Sequence, residues 1–143
     1  MDICPKLKVQ EPIPLYGFQP ITATSTDLDL IKQARDGLKT AALWKFLKLI
    51  NCSKMEFEEY LPLSLKTLGR KETLNEAEGE RILNIMRVFA KGKELFDDVE
   101  VFKRWLKEDN PFLGDAPITF LKTSTGCQVI LDEIGRAQHG IMA

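Results

Sequence analysis

From Asp27 onward the apolar positions of this chain fall at three- and four-residue intervals, and the breaks in that period mark where helices start and stop. Leu28, Ile31 and the pair Gln33-Ala34 lead into Gly37, a residue suited to the position just past a helix end. Ala41, Ala42, Leu43, Phe46, Leu47 and Ile50 set out a second amphipathic helix that closes near Asn51. Ser53 and Glu56 have the spacing of a capping box, in which each side chain satisfies the other residue's amide, so a third helix is expected from Ser53 to a stop before Pro62. Ser64 can cap a short helix with Leu65 and Leu68 inward, and Asn75 a long one through Arg81, Ile82, Ile85, Met86 and Phe89. Lys91-Gly92-Lys93 reads as a frayed end. Asp97 with Glu100 begins the next helix, carrying Val101, Phe102, Trp105 and Leu106 inward, and Asn110-Pro111 breaks it. Pro117 suits the first turn of a short helix bearing Ile118, Phe120 and Leu121. Thr123 or Ser124 caps the last helix, which runs through Val129, Ile130, Ile134 and Ala137 to Gly140. No segment alternates with the period of two that a strand requires, so the expected fold is all-α.

Upstream of this pattern, Pro5, Pro12, Pro14 and Pro20 exclude helix from residues 1–26 and favour an extended arm. The remainder divides into an N-terminal unit, 27–73, and a C-terminal unit, 74–143. Charge separates them: residues 27–71 hold nine Lys or Arg against six Asp or Glu, whereas 72–143 hold nine against thirteen. The first unit is therefore the better placed to approach a polyanion. A chain of 143 residues, 44% hydrophobic and 29% charged, is long and apolar enough to bury a core. No stretch approaches the ~18 consecutive apolar residues of a membrane span. Met1-Asp2 is not followed by a basic and then apolar leader, and the three scattered cysteines Cys4, Cys52 and Cys127 suit a reducing compartment. The expected location is the cytoplasm.

Catalytic equipment is sparse. His139 is the one histidine, and the sequence contains no Cys-x-x-Cys, no His-Glu-x-x-His and no phosphate-binding glycine loop. Cys127 and His139 would stand about 18 Å apart along one helix at ~1.5 Å per residue, too far to act as nucleophile and base. The expectation is a chain that is not an enzyme and that holds no cofactor or metal. Cys52 and Cys127 read as small buried residues, Gly114 as a turn device and Gly126 as a close-packing one.

Two stretches carry a family resemblance. Ser64-x-x-Thr67-Leu68-x-Arg70-Lys71 is similar to the recognition-helix stretch of Xre-type antitoxins. Further on, Trp105-Leu106, Asn110-Pro111, Leu113-Gly114-x-x-Pro117, Leu121-x-Thr123-x-x-Gly126 and Arg136-x-x-x-Gly140 stand in the order of the Xre/MbcA/ParS C-terminal toxin-binding domain. Two positions depart from that pattern: Asp115 follows Gly114 where many relatives carry a second glycine, and His139 stands where tyrosine is frequent. The resemblance implies a type II antitoxin of the RES-Xre toxin-antitoxin family, homodimeric and encoded beside a RES-domain toxin that consumes NAD or transfers ADP-ribose from it. In that family the antitoxin's C-terminal portion blocks the toxin's active site, and its helix-turn-helix binds the operon's own promoter to regulate transcription.

Carried over, Arg136, His139, Gly140, Ile141, Met142 and Ala143 face the toxin, while Ser64, Lys66, Thr67, Arg70 and Lys71 face operator DNA. Other readings stay open at this point. The Ser64 to Lys71 segment also fits a merely solvated face or a dimerisation element, and His139 an ordinary surface residue near a helix end. The whole chain also fits a stand-alone helix-turn-helix regulator with a helical dimerisation domain, or an adaptor with no nucleic-acid partner.

Overall fold

A computed structural model describes residues 21–61 and 63–142, the last two through their backbone. Most of the expected N-terminal arm, including Cys4 and its four prolines, therefore lies outside the described residues, as do Pro62 and Ala143. Thr26 caps the first helix, α1 (Asp27–Asp36), in a complete capping box: its hydroxyl accepts from the Asp29 amide at 3.1 Å, and the Asp29 carboxylate accepts from the Thr26 amide at 2.9 Å. There follow α2 (Thr40–Leu49), α3 (Lys54–Phe57) with a 3-10 turn (Glu58–Tyr60), α4 (Leu65–Gly69), α5 (Glu76–Phe96), α6 (Val99–Lys107), a second 3-10 turn (Pro117–Phe120) and α7 (Ser124–Met142). The fold is all-α. The described residues form no strand, only isolated bridges between Lys39 and Thr73 and between Asn110 and Asp115.

Most helix ends fall where local chemistry puts them. Gly37 takes φ +97° after α1, Ser64 caps α4, Asn75 and Glu78 form a full box on α5, and Pro117 opens its 3-10 turn. Thr123 Oγ1 accepts from the Gly126 amide at 2.9 Å and so starts α7. Four expectations are corrected. Ser53 accepts from the Glu56 amide at 3.0 Å, but the reciprocal half of that box is not made, because the Glu56 carboxylate turns to Lys103 and Lys107 at 3.6 and 3.8 Å. The start of α6 shifts by one residue: Asp98 is its cap, while Asp97 takes φ +61° as the left-handed end of α5. On α1 the inward stripe is Leu30, Gln33 and Ala34, and Leu28 and Ile31 are 57% and 37% exposed. Nor does Lys91-Gly92-Lys93 fray. The helix runs on to Phe96 with Gly92 buried inside it.

The reason lies in how α5 packs. It is the axis of the molecule, in contact with α1, α6 and α7. Two glycines let neighbours close in. A Cβ on Gly79 would stand 3.4 Å from Leu38 Cβ and 3.8 Å from Ala34 Cβ; one on Gly92 would stand 2.3 Å from the Phe102 ring of α6. That ring is fully buried and belongs to a run of edge-to-face and stacked aromatics: Phe57 to Phe46 at 6.1 Å, Phe46 to Phe89 at 5.8 Å, Phe89 to Phe102 at 5.2 Å and Phe102 to Trp105 at 5.8 Å. Each such pair adds about 0.5–1.5 kcal/mol beyond its area. The run joins α2 and α3 to α5 and α6, and one continuous core includes residues from Leu30 to Ile134.

Two buried cations reinforce these contacts. Lys103 of α6 donates to the carbonyl of Asn51 at 2.7 Å, with Glu100 at 3.4 Å and Glu56 at 3.6 Å, so its ammonium is not left unpaired in the interior. Arg87 of α5 holds Asp27 at 2.9 Å, the Ser25 carbonyl at 3.3 Å and Asn84 at 3.1 Å, which pins the start of α1. Asn84 in turn donates to Glu80 at 2.9 Å, and the Ser124 hydroxyl donates to the same carboxylate at 2.8 Å, so α7 is tied in at its first turn.

Candidate functional site

The far end of the chain is built around a turn and a helix. After α6, Asn110 closes the turn from 110 to 115: its carbonyl accepts from Leu113 and Gly114 at 3.1 and 2.9 Å, and its own amide donates to Asp115 O at 3.2 Å. Gly114 completes the turn at φ +80°, the conformation that glycine adopts without strain. The buried side chain of Asn110 reaches two ways. Its Oδ1 accepts from the amides of Phe112 and Leu113 at 2.8 and 3.3 Å, and its Nδ2 donates to Glu133 of α7 at 3.1 Å. Glu133 is itself buried and takes a two-pronged contact from Arg136, Nε to Oε1 at 2.9 Å and Nη2 to Oε2 at 2.8 Å. The Arg136 hydrogen bonds hold the Glu133 carboxyl below the usual carboxylate range, against the opposing effect of burial. The guanidinium then lies over the ring of Phe112, 3.6 Å from its centroid.

Arg136, His139 and Gly140 are exposed and share one side of α7, as their spacing of three and four residues requires. The helix continues through Ile141 and Met142. The bidentate capacity of Arg136 is used first within the chain, on Glu133, and about half of its side chain remains exposed. A close approach supports the start of α7: a Cβ on Gly126 would fall 1.7 Å from the Phe120 carbonyl oxygen, so no larger residue fits there without displacing backbone. Cys127 lies alongside, its thiol pushed up to about 12 by burial, as is that of Cys52. Both remain protonated at neutral pH and are poor nucleophiles.

The second group of expected site residues sits on α4. Ser64 accepts from the Thr67 amide at 3.4 Å, Leu65 and Leu68 point inward, and Ser64, Lys66, Thr67 and Arg70 are exposed. Lys71 is partly withdrawn, its ammonium 2.7 Å from Glu78 of α5. Beside α4, Trp44 of α2 stands 3.4 Å from the place a Gly69 Cβ would take, and Lys54 lies 4.2 Å above the Trp44 ring. Sequence reasoning missed Phe112 and Glu133. The three-residue step from Glu133 to Arg136 was legible as an ion-pair spacing; nothing local marked Phe112, which follows Pro111 in a turn.

Compared with known families, one stretch is assigned. Residues 91–140 match the antitoxin Xre/MbcA/ParS C-terminal toxin-binding domain. The match runs from the last turns of α5 through α6, the 110–115 turn and α7 to Gly140, and so encloses Asn110, Phe112, Glu133, Arg136 and His139. It supports an Xre-type antitoxin with a toxin as its partner. The match covers 50 of 143 residues and leaves α1 to α4 outside it. No curated protein matches the chain. No helix among the described residues is long and apolar enough to cross a membrane.

Proposed function

We propose that this chain is a type II antitoxin of the RES-Xre kind, whose C-terminal half silences a RES-domain toxin that consumes NAD or transfers ADP-ribose from it. The end of α7 enters the toxin's active-site cleft, with Arg136, His139, Gly140, Ile141, Met142 and Ala143 as the contacting residues. The chain acts by binding, not by catalysis. The match over 91–140 carries this reading, and the exposed Arg136, His139 and Gly140 side at the distal end of α7 is consistent with it. A helix end about 10–12 Å across is narrow enough to act as a probe, and an arginine suits a cleft lined for an anionic ligand's surroundings. The test is a chain that ends at Gly135. It keeps the buried residues up to Ile134 and is expected to unfold cooperatively, yet to lose the ability to rescue cells that express the neighbouring toxin. Rescue by the shortened chain would refute the plug.

The N-terminal unit, residues 27–73, completes the proposal as a promoter-binding module of a homodimer, with Ser64, Lys66, Thr67, Arg70 and Lys71 toward the DNA. The exposed polar side of α4 and the excess of basic residues over 27–71 support it. The cytoplasm is the location such a system requires.

A further inference from the structure

We propose that Phe112 is an anchor by which this chain grips its toxin, with Arg136 as the residue that positions it; this rests on the antitoxin reading above. Five large hydrophobic side chains are exposed among the described residues, and four of them, Leu28, Ile31, Leu49 and Met55, lie outside the stretch that matches a toxin-binding domain. The fifth, Phe112, lies inside it and is 68% exposed. A single exposed apolar residue is ordinary on a protein surface, so exposure alone decides nothing. What sets Phe112 apart is the support built beneath it. Asn110 fixes the backbone of the turn through the Phe112 amide, Glu133 joins Asn110 to Arg136, and the guanidinium lies over the ring, 3.6 Å from its centroid.

Glu133 is 6% exposed and has both carboxylate oxygens engaged, so it is spent inside the chain on holding Arg136 and Asn110 in place. The result is an aromatic side chain held out from the surface and ordered before any partner arrives. Aromatic and arginine side chains of this kind dominate protein interfaces, because burying them removes much apolar area while little further freedom is lost. The ring is also continuous with Arg136, from which His139 and Gly140 are one turn away along α7, so it extends the face assigned to the toxin. The matching surface on the toxin is an apolar pocket wide enough for a phenyl ring, with an acceptor at its rim for the open edge of the guanidinium.

The test measures the affinity of the full-length chain for the purified RES-domain protein encoded beside it, by calorimetric titration. Phe112→Ala is expected to bind on the order of thirtyfold more weakly with its melting temperature unchanged. Arg136→Lys keeps the charge but not the two-pronged hold on Glu133 or the guanidinium over the ring; it should weaken binding more in the native background than on top of Phe112→Ala, where only its own contact with the toxin is left to lose. Native-like binding by Phe112→Ala, alongside lost binding by the chain ending at Gly135, would remove the anchor and leave the plug standing. If Phe112→Ala also shifts the oligomeric state while binding normally, the occupant is a second copy of this chain and the toxin assignment falls. Additive losses in the double variant would remove Arg136 as a positioning residue, and failure of the unaltered chain to bind would remove both proposals.

Discussion

Glu133 shows how one buried carboxylate can organise a surface. It lies under the exposed pair Phe112 and Arg136, and each of its oxygens accepts from the guanidinium while one also accepts from Asn110. Its folded value is depressed, so it binds a proton less readily in the native chain than in the unfolded one. The stability it adds is therefore fully present above the ordinary glutamate value of about 4.3, and is lost as the pH falls through the depressed folded value. Glu133→Gln should be less stable than the native chain at neutral pH, and the gap should close below about 4.3. Urea unfolding at a series of pH values checks this; a gap of constant size would mean that the carboxylate's charge contributes nothing. Gly92 and Gly126 illustrate the opposite situation, in which a missing side chain matters. Their Cβ positions are already taken by the Phe102 ring and the Phe120 carbonyl.

At the scale of elements, length decides what must hold each helix in place. The 21 residues of α5 carry their own capping box and a long buried stripe. By contrast, α4 has five residues, below the ~12–15 at which a helix persists alone, and depends on Ser64 and on burial of Leu65 and Leu68. Such an element is a rigid display only while α2 and α5 support it, through Trp44 against Gly69 and Glu78 against Lys71. If α4 is the DNA-facing element, Arg70→Ala should weaken operator binding and lower the salt slope by about one unit for a phosphate contact, or relax base preference for a groove contact. Binding isotherms at two salt concentrations read the difference, and unchanged isotherms would take α4 out of the interface.

For the whole molecule, the continuous core has a consequence for unfolding. Phe46 and Phe57 touch the same aromatic run as Phe89, Phe102 and Trp105, and Lys103 of α6 is fastened to Asn51 between α2 and α3. The residues at 27–73 and those at 74–142 therefore stabilise each other. Trp44 and Trp105 lie one on each side of that division and are the two tryptophans of the chain. Trp44→Phe and Trp105→Phe leave one reporter each. In each variant, the remaining tryptophan's fluorescence and the overall helicity should unfold at the same denaturant concentration. Separate midpoints would show two units that unfold independently.

The sequence by itself determined the all-α class and most of the helix ends, because capping by Ser64, Asn75 and Thr123, the glycine after α1 and the proline at Pro117 act over three or four residues. Arg136, His139 and Gly140 were brought together by the family resemblance, and their spacing along α7 places them on one helical side. The tertiary structure decided which stripe of α1 turns inward, that α5 runs past Gly92, and that Phe112 is held out over Arg136. Each of these depends on partners distant in sequence: Ala34 with Gly79, Gly92 with Phe102, Asn110 with Glu133. A local pattern specifies how the backbone turns; which surfaces meet is settled only when the helices close on one another and compete for the same volume.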